Sequence, residues 1–156
     1  MLPLRPNVCL IILNSENKIF LGERALQPDV WQLPQGGIEQ DCSLEENALR
    51  EASEELGAPK ALFKIITKLN ATNQYEFDIV PKFLKGKFRG QDQSFCVLRF
   101  LGDDQNINLN LHHPEFKRFK WCSLKEVLEL AEPKRVKGYE KALKELLSLS
   151  SISIAV

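Results

Sequence analysis

The sequence predicts an α+β fold: an α/β/α sandwich with a mixed β-sheet between its helices. Three observations predict it. Apolar, β-branched runs alternate with capped amphipathic helices along the chain. The run Val8 to Leu13 is continuously apolar, which suits a strand buried on both faces. No linker and no internal repeat divides the chain, so residues 1–156 are expected to form a single domain.

The opening residues read as a coil leading into the strand Val8 to Leu13. Ser15-Glu16-Asn17 is a turn, and Lys18 to Gly22 returns as a partner strand. Ser43 is placed to cap a helix, with Glu46 at its third position in an S-x-x-E capping box. Leu49, Ala52 and Leu56 give that helix an apolar stripe. Gly57 suits the position past its end, and Pro59 follows as a stop. Leu62 to Leu69 and Tyr75 to Val80 read as two β-rich runs, Phe95 to Leu101 and Phe116 to Trp121 as further strands. Ser123 and Glu126 form a second capping box, opening a helix to about Ala131 that Pro133 ends. A last helix is expected from Lys137 to Leu149, with Tyr139, Leu143, Leu146 and Leu147 on its apolar side. The closing SSISIAV fits a short strand, a packed tail or a disordered end.

The chemistry concentrates on the first helix. Glu51, Glu54 and Glu55 stand at i, i+3 and i+4, so their carboxylates share one side. Like charges at that spacing weaken a helix, and a hard divalent cation with oxygen ligands is one way to offset them. A solvated acidic face is the other. Arg50 stands four residues from both Glu46 and Glu54 and can pair with either.

Composition narrows the partners. A chain of 156 residues, 44% apolar, can build a real core. Its formal net charge of zero argues against a broad basic surface for long nucleic acid. A local patch of Lys82, Lys85, Lys87 and Arg89 can hold polyphosphate or simply be solvated. The four cysteines make no C-x-x-C pair. Cys9 and Cys96 lie in strand-like runs and suit the core. A reducing cytoplasm is the expected compartment, with no membrane span, no signal peptide and no obligate protein partner.

The segment Gly36 to Ala58 resembles the Nudix box, G-x5-E-x7-R-E-U-x-E-E-x-G-U. Gly36 matches the first glycine, Arg50-Glu51 the R-E pair, Glu54-Glu55 the E-E pair and Gly57 the last glycine. The departure is Cys42, where the pattern has its first glutamate; Glu39, Asp41 and Glu45 are the acids near enough to compensate. Trp31-Gln32-Leu33-Pro34-Gln35-Gly36-Gly37, Arg5-Pro6-Asn7-Val8, Gly90-Gln91-Asp92-Gln93 and Pro114-Glu115-Phe116 are similar to segments of one Nudix branch. That branch holds asymmetrical diadenosine tetraphosphate (Ap4A) hydrolases and bacterial RNA pyrophosphohydrolases. The likeness spans about Arg5 to about Leu146.

The resemblance implies a Nudix hydrolase fold and Mg2+, or Mn2+, as cofactor. It implies Glu51, Glu54, Glu55, the Gly36 carbonyl and Glu115 as metal ligands. Glu51, Glu54 and Glu115 are the expected catalytic set, with Glu115, His112 and His113 as candidate bases. Arg5 and Arg24 can bind phosphate, Gln91 and Gln93 phosphate or ribose, and Tyr75 and Tyr139 are aromatic candidates for the base. The first expected reaction is Mg2+-dependent hydrolysis of a dinucleoside polyphosphate, Ap4A to ATP and AMP. The alternative is removal of pyrophosphate from a triphosphorylated RNA 5′ end. A catalytically silent nucleotide-binding module is the third reading, favoured by Cys42 and opposed by the intact glutamates.

Overall fold

The computed structural model describes residues 1–156. The strands are β1 (Leu4–Leu13), β2 (Ile19–Arg24), β3 (Trp31–Gln32), β4 (Gln35–Gly37), β5 (Phe63–Glu76), β6 (Gly90–Phe100) and β7 (Phe116–Cys122). The helices are α1 (Leu44–Leu56), α2 (Leu124–Leu130) and α3 (Pro133–Ser148). One mixed sheet runs β3-β2-β1-β6-β5, with β4 paired to β1 and β7 to β2. β1 and β6 are parallel from Leu4↔Gly90 to Leu13↔Arg99. The other strand pairs are antiparallel.

The expected sandwich is present, and β1 shows why its sequence is continuously apolar. Cys9, Ile11 and Leu13 face Ala142, Leu143 and Leu146 of α3 and Val127 of α2. Val8, Leu10 and Ile12 face Ala48, Ala52 and Leu56 of α1. Both faces are therefore core. Truncating Leu10 or Ile11 to Ala would cost about 2–5 kcal/mol.

α1 starts and stops where its caps dictate. Ser43 Oγ accepts the Glu46 N–H at 3.1 Å. The return arm of the box is absent: Ser43 Oγ donates instead to the Glu46 carboxylate at 3.2 Å. Gly57 ends the helix at φ 62°. A Cβ there would also fall 1.8 Å from the Asn108 carbonyl oxygen. The Asn108 N–H donates to the Leu56 carbonyl at 2.9 Å, so the end of α1 is clasped to a distant loop.

Three expectations need correction. The runs Leu62 to Leu69 and Tyr75 to Val80 are not separate strands. β5 is one 14-residue strand whose register against β6 shifts at Ile65/Thr67 and Lys68/Thr72, and the chain leaves it at Phe77. These bulges break the two-residue period that marks a strand. In the second bulge, the Asn70 and Ala71 N–H groups both donate to the Glu145 carboxylate of α3, each at 2.8 Å. Pro133 opens α3 rather than only closing α2, because the first helical turn needs no N–H and suits the fixed φ of proline. Ala142 takes the buried place expected of Leu147, which is exposed.

The carboxy-terminal segment is a packed tail. Ile152 and Ile154 are buried, and the Leu124 N–H donates to the Ala155 carbonyl at 2.8 Å. No helix is long and apolar enough to cross a membrane. Cys9, Cys96 and Cys122 are buried and free; Cys42 is partly exposed.

Candidate functional site

The first two strands, the β4 loop, α1 and the loop before β7 converge on one open cleft of about 1640 Å³. Glu51, Glu54, Glu55, Gly36 and Glu115 all line it. Glu55 is the deepest, 8% exposed, and its Oε2 has no hydrogen-bond partner. Burial, followed by the charges of Glu115, Glu51 and Glu54, pushes its carboxyl up to about 9. Burial also raises Glu51, with Glu54 and Glu115 adding to the effect. Glu115, 60 residues from Glu55 in sequence, thus belongs to the same cluster. The Gly36 backbone lies against Glu51: a Cβ there would fall 2.1 Å from the carboxyl carbon.

These residues fit a divalent cation. An orphaned buried oxygen on Glu55, and like charges crowding Glu51 and Glu55, make a donor set short of positive charge. Glu51, Glu54, Glu55 and Glu115 are the side chains that would hold it.

Arg50 does not pair with Glu46 or Glu54 as its spacing allows. It donates to the Gly37 carbonyl at 3.2 Å and the Glu51 carboxylate at 3.3 Å, and pairs with Glu39 at 3.2 Å. Glu39 is therefore the acid that reaches Arg50 where Cys42 replaces the first glutamate of the box. Buried Asn47 holds that loop in place, accepting from the Glu39 N–H and donating to the Ser43 carbonyl. Glu39, Asp41 and Cys42 also lie together on the surface, with burial and neighbouring acids raising the Cys42 thiol.

The rest of the cleft's lining is rich in cations and amides. Arg5 and Arg24 line it, and Arg24 donates to Gln32 Oε1 at 3.0 Å. Lys134, Arg135, Lys137 and Lys141 add a basic row along α3. Sequence reading missed this row, because lysines on a helix carry no signal of what they face. Of the expected basic loop, Lys82, Lys85 and Lys87 do not line the cleft, whereas Pro81 and Phe83 do. Gln91 and Gln93 lie on the floor. Gln93 is saturated by its neighbours: it donates to Asn7 and Gln35 and accepts from Asn73. It sets those side chains rather than offering a free group. Tyr75 lines the cleft with its hydroxyl accepting from Gln91 Nε2 at 2.7 Å. His112 and His113 stand exposed at the rim.

Tyr139 is a correction. It is 2% exposed, its ring packs edge-on to Phe95, and its hydroxyl accepts the Leu33 N–H at 3.2 Å. A ring so enclosed has no face for a base; Tyr139 is a core residue of α3.

A protein-family model described as "NUDIX domain" matches residues 3–146. A curated protein of Rickettsia bellii (strain OSU 85-389) named RNA pyrophosphohydrolase is 40% identical over 151 residues, covering 95% of this chain and 92% of its own. One of the same name from Rickettsia africae (strain ESF-5) is 38% identical over 149 residues, with the same coverage. Among solved structures, a C. elegans Ap4A hydrolase binary complex superposes with a TM-score of 0.63 at 16% identity, covering 92% of this chain and 99% of that one. At that identity the superposition speaks for the fold alone.

Proposed function

The chain belongs to the Nudix family, and from that premise we propose that it is a divalent-metal-dependent pyrophosphohydrolase acting on the triphosphorylated 5′ end of RNA. The observation that carries the reading is the cleft itself. Four carboxylates, one with an orphaned oxygen, share one open cleft with Arg5, Arg24 and a row of cations from α3. The carboxylates suit a cation, and the cations suit a chain of phosphates. The relatives named RNA pyrophosphohydrolase, alike over 95% of this chain, support RNA ahead of the dinucleotide expected first. Ap4A, cleaved to ATP and AMP, is the competing substrate.

A divalent cation bound among Glu51, Glu54, Glu55 and Glu115 supplies charge neutralisation and an acidified water. The protein's own groups do the rest. Arg50 orients Glu51 by donating to its carboxylate. Arg5, Arg24 and the α3 lysines hold the phosphates in line. Glu115, off the helix and on an exposed loop, is our candidate to take the proton from the attacking water.

The test is incubation with Mg2+ and either a 5′-triphosphorylated RNA oligonucleotide or Ap4A, with products resolved by chromatography. Release of pyrophosphate and a monophosphorylated RNA is expected. ATP and AMP from Ap4A with no action on RNA would transfer the assignment to the dinucleotide. Inertness on both would leave a silent binding module.

A further inference from the structure

We infer that Phe83 and Arg5 together form a stacking platform for a nucleobase of the substrate, an inference that rests on reading this cleft as a nucleotide polyphosphate site. The cleft's apolar lining is one-sided. Its five hydrophobic residues are Tyr75, Phe77, Ile79, Phe83 and Tyr139. Tyr139 is buried, so the accessible apolar surface comes from the single segment Tyr75 to Phe83. A nucleotide has the same asymmetry, an aromatic base at one end and phosphates at the other.

Phe83 is 69% exposed, yet the loop around it is built. Its stem closes where the Phe77 N–H donates to the Arg89 carbonyl at 2.9 Å. The Arg89 N–H in turn donates to the Pro3 carbonyl at 3.0 Å. The neighbouring Leu84 is buried and anchors the short turn Lys82–Leu84, which ends with Lys85 at φ 52°. One residue goes into the core and its neighbour is held out over the cleft. The Arg5 guanidinium lies 5.6 Å from the Phe83 ring centroid and rests on Gly37, where a Cβ would fall 2.2 Å from Nη2. Arg5 thereby covers one face of the ring. The face left to solvent takes the base.

A second observation points to a ligand here. Gln91 is 6% exposed, and its Oε1 has no partner while Nε2 donates to the Tyr75 hydroxyl. Turning the amide over would leave the nitrogen unpaired instead, so one buried polar atom awaits a partner either way. With Nε2 donating, the Tyr75 hydroxyl keeps its own proton to donate. The floor beside the platform therefore presents an acceptor and a donor, suited to a ribose hydroxyl or a base edge.

The experiment separates stacking from packing. Phe83→Ala should raise KM for pyrophosphate release from a 5′-triphosphorylated dinucleotide roughly tenfold, with kcat changed by less than about twofold. The inhibition constant of inorganic tripolyphosphate, which has no base, should not move. Phe83→Trp should keep the wild-type KM, and Phe83→Leu, apolar without a π-face, should behave like Ala. An unchanged KM in Phe83→Ala, full function in Phe83→Leu, or a parallel loss of tripolyphosphate inhibition would overturn the platform. If the wild-type protein releases no pyrophosphate, the proposed reaction falls by itself. Calorimetric binding of ATP then decides the platform alone: roughly tenfold weaker in Phe83→Ala upholds it, and equal affinity sinks it.

Discussion

The two walls of the cleft are built on opposite principles. On the α1 wall, Glu55 is buried and Glu51 half-buried beside like charges, and one oxygen of Glu55 has no partner. In the sheet, Asn7, Gln35, Asn73 and Gln93 satisfy one another through amide hydrogen bonds. The first is charge left without a partner; the second is a network centred on Gln93 whose amides are paired. Burying unpaired charge costs several kcal/mol, whereas a satisfied amide network is roughly neutral and rigid. The contrast teaches that the helix carries the unbalanced charge of this cleft, while the sheet carries its settled hydrogen-bond network.

The contrast can be broken most severely at Glu54. Glu54→Gln removes an anion at constant size and should lower turnover on the order of 10²–10³-fold, with an unchanged melting temperature. Retained turnover would move the chemistry away from α1. The unbalanced charge itself is visible in pH. Glu55 releases its proton near 4.5 when unfolded and near 9 when folded. Between those values the folded chain holds a proton the unfolded chain has lost, so stability must fall as pH rises. Thermal melts of metal-free protein should show Tm declining from about pH 5 to about pH 9, and either Mg2+ or Glu55→Gln should flatten that slope. A flat profile without metal would mean the wall is not strained.

Smaller effects sharpen the picture. The triple change Lys134→Ala, Lys137→Ala, Lys141→Ala should raise KM for triphosphorylated RNA roughly tenfold and weaken its salt dependence, leaving kcat nearly intact. An unaltered salt slope would take α3 out of the substrate path. The smallest change is expected at Cys42. Because Arg50 already pairs with Glu39, Cys42→Glu should shift turnover by less than about twofold on its own. In a Glu39→Ala background the same substitution should restore activity, a coupling that a double-mutant cycle measures.

Legibility in the sequence divides along the same line as the two walls. α1, its caps and its three carboxylates could be read directly, because a helix brings i, i+3 and i+4 together without outside help. Glu115 was reachable only through resemblance, since its place beside Glu55 depends on tertiary folding. The amide floor was half visible: Gln91 and Gln93 were picked out, but the Gln93 partners Asn7, Gln35 and Asn73 come from β1, β4 and β5, and only the strand registers bring them together. Tyr139 was misread because an aromatic at helical spacing looks the same whether it faces a ligand or the core. The bulges hid β5, and Pro133 was taken as a terminator because the same residue that halts one helix is well suited to begin the next.

The contact between Glu145 and the second bulge has a consequence for the molecule's neighbours. β5 is the outermost strand on its side of the sheet. A border strand with loose amide hydrogens is an invitation for another chain to add itself. Here two of those hydrogens are already occupied by a carboxylate from α3, and the distortion of the strand spoils the template further. The link that seats the helix thus leaves this border with two fewer amide hydrogens to offer a passing strand.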